Sequence, residues 1–450
     1  MLLTKLYPGL KKRVKNLLKD RPVLFSVLRT IFHNIKYWSM RLRLCFTAQL
    51  SYYSPRQLLT PIELSPERIE YTDIKIDTNE RGINSNNMYL IGRVIGGDWD
   101  INTLKIEQLD IYKALKDYFV DGIDLKESNL YAADITSKEK IKGEARIWYN
   151  IYAYDYQARV DRLNKLYISI KKSGYKSQEE LQSDIPLDEV RVKIGRRGKI
   201  LFENSIHRLI IAKLLKVDTI PAIVTVRHSQ WQRFKNELFQ LSRGPFSIGG
   251  EKLYQKLVHP DLQDIPYCHD CDDRYGLIYK EICTHQKWDA FTKGSVLDIG
   301  AYLGFFCHKL EEAGFNCYAI ESNPTLALYM KKLKEIENKK FTIYKFDFLG
   351  NMNNEFLKRE YTYVLVLNIF HHFIKNKASF DKMRKVLKKL KCKGMFFEAH
   401  NPNEKQMENA YRNFDGDTFV KFIVENSVLD KYKLIGEIAD KRNLYYIYKR

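Results

Sequence analysis

The chain lacks any run of eighteen uninterrupted apolar residues, so the sequence does not predict a membrane-spanning helix. It has no recognisable secretory signal, and its seven cysteines are irregularly spaced. These two features predict a cytoplasmic protein in a reducing environment. We find neither an internal repeat nor a low-complexity linker, and a length of 450 residues predicts two to three domains.

Acidic residues are scarce, most of all near the N-terminus. The chain has 75 Lys and Arg against 55 Asp and Glu, a net charge of +20. Residues 1–50 hold eleven basic residues and one acid, Asp20, and their apolar residues recur at helical spacing. Residues 1–58 are therefore predicted to form a basic amphipathic helical arm. Such an arm either binds an anionic surface at the inner face of a membrane, as a peripheral protein does, or docks on its own protein.

The strongest chemical pattern lies in residues 294–324, GSVLDIGAYLGFFCHKLEEAGFNCYAIESNP. It predicts a strand, a glycine turn, a helix over residues 305–313 and a second strand over residues 317–320 that ends at Glu321. The turn has the form D-x-G-x-x-x-G, built from Asp298, Gly300 and Gly304. It lacks the G-x-G-x-x-G spacing of a pyrophosphate site. An acidic residue about twenty positions after the first glycine can accept both hydroxyls of a ribose.

This pattern and the elements after it resemble class I S-adenosylmethionine-dependent methyltransferases over roughly residues 273–450. The resemblance implies an α/β fold with a Rossmann-like seven-stranded sheet, whose antiparallel final pair we predict at residues 433–439 and 444–448. It also implies S-adenosylmethionine as the cofactor. Asp298, Gly300 and Ala301 would then line the methionine end, Gly304 would permit the turn, and Glu321 would hold the ribose.

Three further residues continue the predicted cofactor site at the ends of later strands. Asp347 and Phe348 follow a strand predicted over residues 341–346, and this acidic–aromatic pair suits an adenine amino group and ring face. Asn368 follows the strand predicted over residues 361–367.

His371 and His372 come next and are the candidate catalytic residues, since His titrates near neutrality and a hydroxyl acceptor benefits from a base. A structural role for the pair, common in the family, stays open. The tetrad Asn368-Ile369-Phe370-His371 stands where an N-P-P-[YF] motif would indicate methylation of a nucleic-acid amine.

A second resemblance covers residues 189–228. Two β-rich runs flank a turn at residues 196–199, followed by a helix over residues 206–215 and a strand over residues 222–226. The sequence Ser205-Ile206-His207-Arg208 resembles the G-x-H-R turn of ParB/sulfiredoxin-like domains, which are smaller α+β folds. The resemblance implies that Ser205, His207 and Arg208 bind an anion or a substrate. Ser205 replaces the glycine, so it can cap the helix but weakens a close approach to phosphate.

Cys268, Cys271, Cys283 and His285 raise the question of a zinc site. Their spacing is unlike that of common zinc modules, and Cys283 falls on a helix predicted over residues 274–283. We therefore predict unpaired thiols and no metal.

The sequence thus predicts an arm (residues 1–58), a ParB/sulfiredoxin-like domain (59–240), a connector (241–272) and a methyltransferase domain (273–450). The predicted function is S-adenosylmethionine-dependent O-methylation of a glycan, a glycolipid or another small-molecule acceptor. One alternative is a nucleic-acid-associated protein, and a bifunctional kinase–methyltransferase is the other. Nucleic acid is the weaker prediction, because neither a helix-turn-helix nor an aromatic–basic alternation is apparent.

Overall fold

The computed structural model describes residues 60–72, 92–127, 156–182, 189–245, 247, 250–285, 294–350, 355–438 and 441–450. The predicted basic arm lies outside these residues. The chain divides into two compact units, residues 1–235 and 236–450. Most of the residues predicted to connect two domains, 241–272, are described, and all of them belong to the second unit.

The first unit contains a mixed sheet with helices. Its described strands are β1 (Ile62–Leu64), β2 (Ile69–Tyr71), β3 (Arg93–Ile95), β4 (Leu104–Lys105), β5 (Val190–Ile194), β6 (Ile200–Asn204) and β7 (Ile220–His228). Its helices include α1 (Asp110–Lys116), α2 (Tyr156–Ser173) and α3 (Ile206–Leu214), and α4 (Ser229–Arg243) begins in this unit. The order across the sheet is β1-β7-β5-β6-β2-β4, and β3 also pairs with β7. The predicted succession of strand, turn, strand, helix and strand over residues 189–228 is confirmed as β5, β6, α3 and β7.

β7 is longer than predicted because it lies inside the sheet. It pairs with β5 on one side and with β1 and β3 on the other. All nine of its residues are buried, as are all five of β5. These two strands form the centre of the core in the first unit.

The second unit is built on a mixed sheet in which most strands are parallel. Its described strands are β8 (Leu253–Gln255), β9 (Tyr267–His269), β10 (Ser295–Ile299), β11 (Asn316–Ile320), β12 (Thr342–Tyr344), β13 (Glu360–Val366), β14 (Lys391–Glu398), β15 (Lys431–Glu437) and β16 (Asn443–Tyr448). Its helices include α5 (Cys271–His285), α6 (Phe305–Glu312), α7 (Pro324–Ile336), α8 (Glu355–Lys358), α9 (Phe370–Phe373), α10 (Lys377–Lys389) and α11 (Gly416–Glu425). β8 and β9 form a separate parallel pair.

The main sheet of this unit has seven strands in the order β12-β11-β10-β13-β14-β16-β15. The first five are parallel, and β16 runs antiparallel to both β14 and β15. The predicted antiparallel final pair is thereby confirmed. The strand predicted over residues 341–346 is shorter, since β12 is an edge strand that pairs with β11 alone.

Apolar side chains cover both faces of this sheet, as the buried strands of a parallel sheet require. Neighbouring residues of one strand point to opposite faces, so Val296 and Leu297 belong to different apolar clusters. In the same way Leu365 packs on one face and Val366 on the other. The strands are therefore fixed in register, and their carboxyl ends meet at one edge.

The strand order also predicts a ligand crevice at that edge. From β10 the chain proceeds through β11 to β12 on one side, and β13 and β14 then lie on the other side of β10. A ligand crevice is expected where the order reverses, beyond the carboxyl ends of β10 and β13. Among the residues described above, no helix is both long enough and apolar enough to cross a membrane.

Candidate active site

The glycine turn after β10 closes against the ends of two neighbouring strands. Gly300 and Gly304 have positive φ angles of 75° and 85°. The backbone N–H groups of Gly300 and Ala301 both donate to the carbonyl oxygen of Ile320, at 2.9 and 3.0 Å. A β-carbon at Gly300 would lie 3.0 Å from the side chain of Ile369 and would have to adopt a left-handed φ, so glycine suits this approach to the end of β13.

Glu321 follows β11 and is held under this turn by backbone groups. One carboxylate oxygen accepts from the backbone N–H of Tyr302 at 2.9 Å, and the other accepts from the N–H of Asn323 at 2.8 Å. The side chain is only 7% exposed. Burial raises the pKa of this carboxyl, and the backbone hydrogen bonds oppose the rise. The carboxylate is thus fixed in position while it keeps lone pairs for a ligand.

Two buried polar oxygen atoms lie close to the same turn. Asp298, on β10, has a buried oxygen (Oδ2) for which the described residues supply no hydrogen-bond donor. Burial, and after it the charge of Glu321, raise the pKa of Asp298 to about 7. Asn368 follows β13 with a φ of 53°, and its Oδ1 is buried without a donor within the described part of the chain. Buried acceptors of this kind are rare unless a ligand or water satisfies them.

Tyr254 reaches this site from β8, in the segment predicted as a connector. Its hydroxyl accepts a hydrogen bond of 2.8 Å from Nδ2 of Asn368, and its backbone N–H donates to the hydroxyl of Tyr302 at 3.2 Å. Burial raises the pKa of the Tyr254 hydroxyl to about 12, so the group stays protonated. Sequence reasoning missed this residue, since a lone tyrosine in a presumed linker has no distinguishing pattern.

Asp347 and Phe348 do not lie together in the way that the adenine prediction requires. Asp347 is exposed, and its carboxylate accepts from the backbone N–H of Leu349 at 3.0 Å. Phe348 is 3% exposed and packs against the rings of Phe356 and Phe373. The stacking of adenine on Phe348 stays a prediction, and the packing of its ring among other aromatic rings disfavours it.

His371 and His372 lie on the short helix α9, with ring centroids 3.9 Å apart. His371 is buried, whereas His372 is exposed. Burial first, and the charge of His372 second, lower the pKa of His371 to about 2. The pKa of His372 is lowered by its packing and by Lys375. Both imidazoles are consequently neutral near pH 7. His400, which follows β14, lies with its ring centroid 5.9 Å from that of His371.

A buried ion-pair network supports the edge of the sheet beside these histidines. Glu398, at the end of β14, lies 3.2 Å from Nε of Arg274 on α5 and 3.4 Å from a guanidinium nitrogen of Arg442. Arg442 also contacts Glu404 at 2.7 Å. The network ties α5 and the loop before β16 to the carboxyl end of β14. Its charges are paired, so it holds the edge in place.

In the first unit, the residue before α3 has left-handed backbone angles, which glycine adopts most readily. Ser205 has a φ of 74° and makes no side-chain capping bond, so the predicted cap is wrong. Its hydroxyl instead accepts from Arg208 at 3.1 Å, and Arg208 lies 4.0 Å from the carboxylate of Glu189. His207 follows Ser205 on the first turn of α3 and is partly buried. A buried carboxylate thus neighbours the arginine expected to meet an anion.

Cys271 and Cys283 are too far apart to bind the same metal ion. Cys271 and Cys283 stand near opposite ends of α5, and twelve residues of α-helix span about 18 Å. Within the described ranges, no group of three or more His, Cys, Asp or Glu side chains is arranged to hold a metal ion.

No protein-family model and no curated protein sequence matches the chain. Several solved structures resemble part of it. The bifunctional kinase–methyltransferase WbdD is 21% identical with a TM-score of 0.38, over 48% of this chain and 46% of WbdD. The methyltransferase domain of bacterial CtHen1 is 15% identical with a TM-score of 0.31, over 39% of this chain and 98% of that domain. The PH0226 protein from Pyrococcus horikoshii OT3 is 15% identical with a TM-score of 0.30, over 41% and 92% of the two chains.

The structural neighbours thus include methyltransferase domains, and the chain spans less than half the length of WbdD. A likeness at these identities concerns the fold. What the site can do follows from its own side chains.

Proposed function

We propose that the second unit binds S-adenosylmethionine and transfers its methyl group to an oxygen atom of a glycan, a glycolipid or another small-molecule acceptor. The observation that carries this proposal is the anchored carboxylate of Glu321 beside the glycine turn, at the point where the strand order reverses. A carboxylate in that position suits the two hydroxyls of a ribose. The parallel sheet with its antiparallel final pair supports the same family of enzymes.

The residues present fit the methionine end of this cofactor. Its ammonium group needs hydrogen-bond acceptors, and Asp298 and Asn368 each have a buried oxygen with no donor among the described residues. Gly300 leaves room where a β-carbon would lie 3.0 Å from Ile369. When bound, S-adenosylmethionine supplies an electrophilic methyl group on a sulfonium. The protein has to hold the acceptor in line with that group and keep water out.

Two features support an oxygen acceptor that carries or neighbours negative charge. They are the pair of histidines after Asn368 and the positive net charge of the chain. The neutral imidazoles of His371 and His372 lie on α9, just after Asn368, and a neutral imidazole can accept a proton from a hydroxyl acceptor. The net charge of +20 suits an anionic molecule or surface nearby.

In this proposal the first unit holds substrate and performs no phosphate chemistry. Ser205 places a β-carbon and a hydroxyl where a phosphate would approach the backbone, and Arg208 is already hydrogen-bonded to that hydroxyl. The neighbouring carboxylate of Glu189 would repel an anion. These contacts disfavour the kinase alternative.

The proposal is tested by Glu321→Gln. The glutamine side chain has one acceptor oxygen where the carboxylate has two. It cannot accept hydrogen bonds from both the ribose and the two backbone N–H groups that now hold the carboxylate, so cofactor affinity should fall. Loss of one hydrogen bond to a charged group, worth roughly 1.5–3 kcal/mol, corresponds to about a 10- to 150-fold weaker Kd. Isothermal titration of the full chain with S-adenosylhomocysteine and S-adenosylmethionine measures the change.

Glu335→Gln is the matched control, because Glu335 is largely exposed on α7. It should bind both ligands as the unmodified chain does. Unchanged affinity in Glu321→Gln would reject the site, and tight binding of NAD by the unmodified chain would reject the class of cofactor.

A further inference from the structure

His400 is held by a short chain of hydrogen bonds at the end of β14. Its Nε2 lies 3.0 Å from Oδ1 of Asn413, and Nδ2 of Asn413 donates to the carbonyl oxygen of Pro402 at 2.8 Å. The His400 side chain is 4% exposed. Its other ring nitrogen, Nδ1, is buried and has no hydrogen-bond partner within the described residues.

These contacts determine which nitrogen of His400 carries the proton. The carbonyl of Pro402 can only accept, so the amide nitrogen of Asn413 must face it and the amide oxygen must face His400. An amide oxygen also only accepts, so Nε2 of His400 must be the N–H donor. In the neutral ring Nδ1 then has a lone pair, and it is the nitrogen that can accept a proton.

The position of His400 relates it to the proposed methyl-transfer site. β13 and β14 are parallel neighbours, with Val366 opposite Phe397, so Asn368 and His400 both follow the ends of adjacent strands. The ring of His371 lies 5.9 Å from that of His400, and Nε2 of His371 is likewise buried without a partner among the described residues. Two neighbouring rings, each with a buried nitrogen that lacks a partner among the described residues, therefore follow the carboxyl ends of β13 and β14.

The groups around His400 keep its ring neutral near pH 7. Burial lowers the pKa of His400 most strongly, and the charges of Arg442 and Lys375 lower it further. The hydrogen bond to Asn413 and the charge of Glu404 act in the opposite direction. His371, the nearest other imidazole, is itself neutral. A neutral ring with a free lone pair is the form that a general base requires.

From this geometry we infer that His400 is the catalytic base of the proposed reaction and that Asn413 is its positioning residue. The inference rests on the proposed function and narrows the acceptor to an alcohol, such as a sugar hydroxyl, since amines and thiols need a base less. The acceptor oxygen bonds to the methyl carbon as the methyl–sulfur bond breaks, and the hydroxyl proton passes to Nδ1 of His400. The products are a methyl ether and S-adenosylhomocysteine, and the imidazolium then returns its proton to solvent.

The first test measures the tautomer and does not depend on activity. The full chain is labelled with 15N in its histidine rings, and the His400 signals are assigned by their loss in His400→Gln. At about pH 8 we expect a protonated Nε2 and an unprotonated Nδ1. Asn413→Leu should increase the fraction of the other tautomer, whereas Asn403→Leu, an exposed position in the same loop, should not. A protonated Nδ1 in the unmodified chain would overturn the inference.

The second test uses transfer of a labelled methyl group from S-adenosylmethionine to a heat-treated extract of the source cells. His400→Gln should slow labelling by roughly 10²- to 10⁴-fold, the usual contribution of a general base. Its affinity for S-adenosylhomocysteine should remain that of the unmodified chain. Asn413→Leu should slow labelling less and alter its pH profile. Full-rate labelling by His400→Gln would overturn the inference while leaving the methyltransferase proposal intact. If the unmodified chain binds no cofactor, the proposed function fails instead.

Discussion

At the scale of single residues, Asp298 is the group whose chemistry depends most on its surroundings. It is fully surrounded by protein, close to the carboxylate of Glu321, and its second oxygen has no donor among the described residues. Burial disfavours the charged form, so the carboxyl group retains its proton up to about pH 7. A cationic ligand would reverse this preference, because an opposite charge favours the carboxylate.

This reversal predicts proton release on binding of S-adenosylmethionine. At about pH 6 the carboxyl of Asp298 is mostly protonated before binding and ionised afterwards, so up to about one proton should leave. At about pH 8.5 the group is already ionised and little should leave. Calorimetry in two buffers of different ionisation enthalpy measures the number of protons released on binding. The variant Asp298→Asn should release fewer protons than the unmodified chain at about pH 6.

The same pKa shift also sets a stability trend in the absence of ligand. The folded-state pKa of Asp298 lies above its unfolded value, so its stabilising contribution is fully present below about pH 4 and is lost as the pH rises through about 7.

In the proton-release experiment, equal release by Asp298→Asn and by the unmodified chain would show that a group other than Asp298 is responsible.

At the scale of elements, the start of α3 depends on a residue with unfavourable backbone geometry. Ser205 has left-handed backbone angles that glycine adopts without strain, and its hydroxyl is hydrogen-bonded to Arg208. The helix is retained since β5, β6 and β7 hold its ends in place. The hydroxyl contact offsets part of the strain.

Substitutions at this position should separate the two effects. Ser205→Ala removes the hydroxyl contact and keeps the strain, whereas Ser205→Gly removes both. Ser205→Gly should therefore be more stable than Ser205→Ala by about 1 kcal/mol, although glycine is the poorer residue inside a helix. Guanidinium unfolding of the full chain, followed through the transition of the first unit, measures the difference. A more stable alanine variant would contradict the assigned strain.

At the scale of the whole molecule, charge is unevenly distributed. Residues 1–50 contribute +10 of the net +20, and the remaining 400 residues contribute the other +10. A basic amphipathic segment binds anionic lipid by both charge and apolar contact, and salt weakens the first of these.

The predicted arm can therefore be tested by co-sedimentation with vesicles. Vesicles containing anionic phosphatidylserine should retain the full chain at low salt, release it as salt rises, and fail to retain a chain that lacks residues 1–50. Vesicles of phosphatidylcholine alone are the control. Equal retention by neutral vesicles would reject the electrostatic account, and salt-sensitive binding to duplex DNA would favour the nucleic-acid alternative.

The sequence by itself determined the local elements around the glycine turn of the second unit and around Ser205 in the first. The strand, glycine turn, helix and strand around Gly300, ending at Glu321, were predicted to within a few residues. So was the succession of elements around Ser205. These features follow from periodicity and turn chemistry within some thirty consecutive residues, where each residue's preference agrees with its neighbours.

Tertiary structure decided which side chains meet. Tyr254 contacts Asn368 across 114 positions of the chain, Phe348 packs into an aromatic core, and His400 acquires its tautomer from Asn413. Neither Tyr254 nor His400 has a local pattern that distinguishes it from an ordinary tyrosine or histidine, and the acidic–aromatic pattern at Phe348 does not indicate its packing in the core. Their roles arise when parallel strands bring their carboxyl ends to one edge, because burial and hydrogen bonding there depend on residues that are distant in sequence.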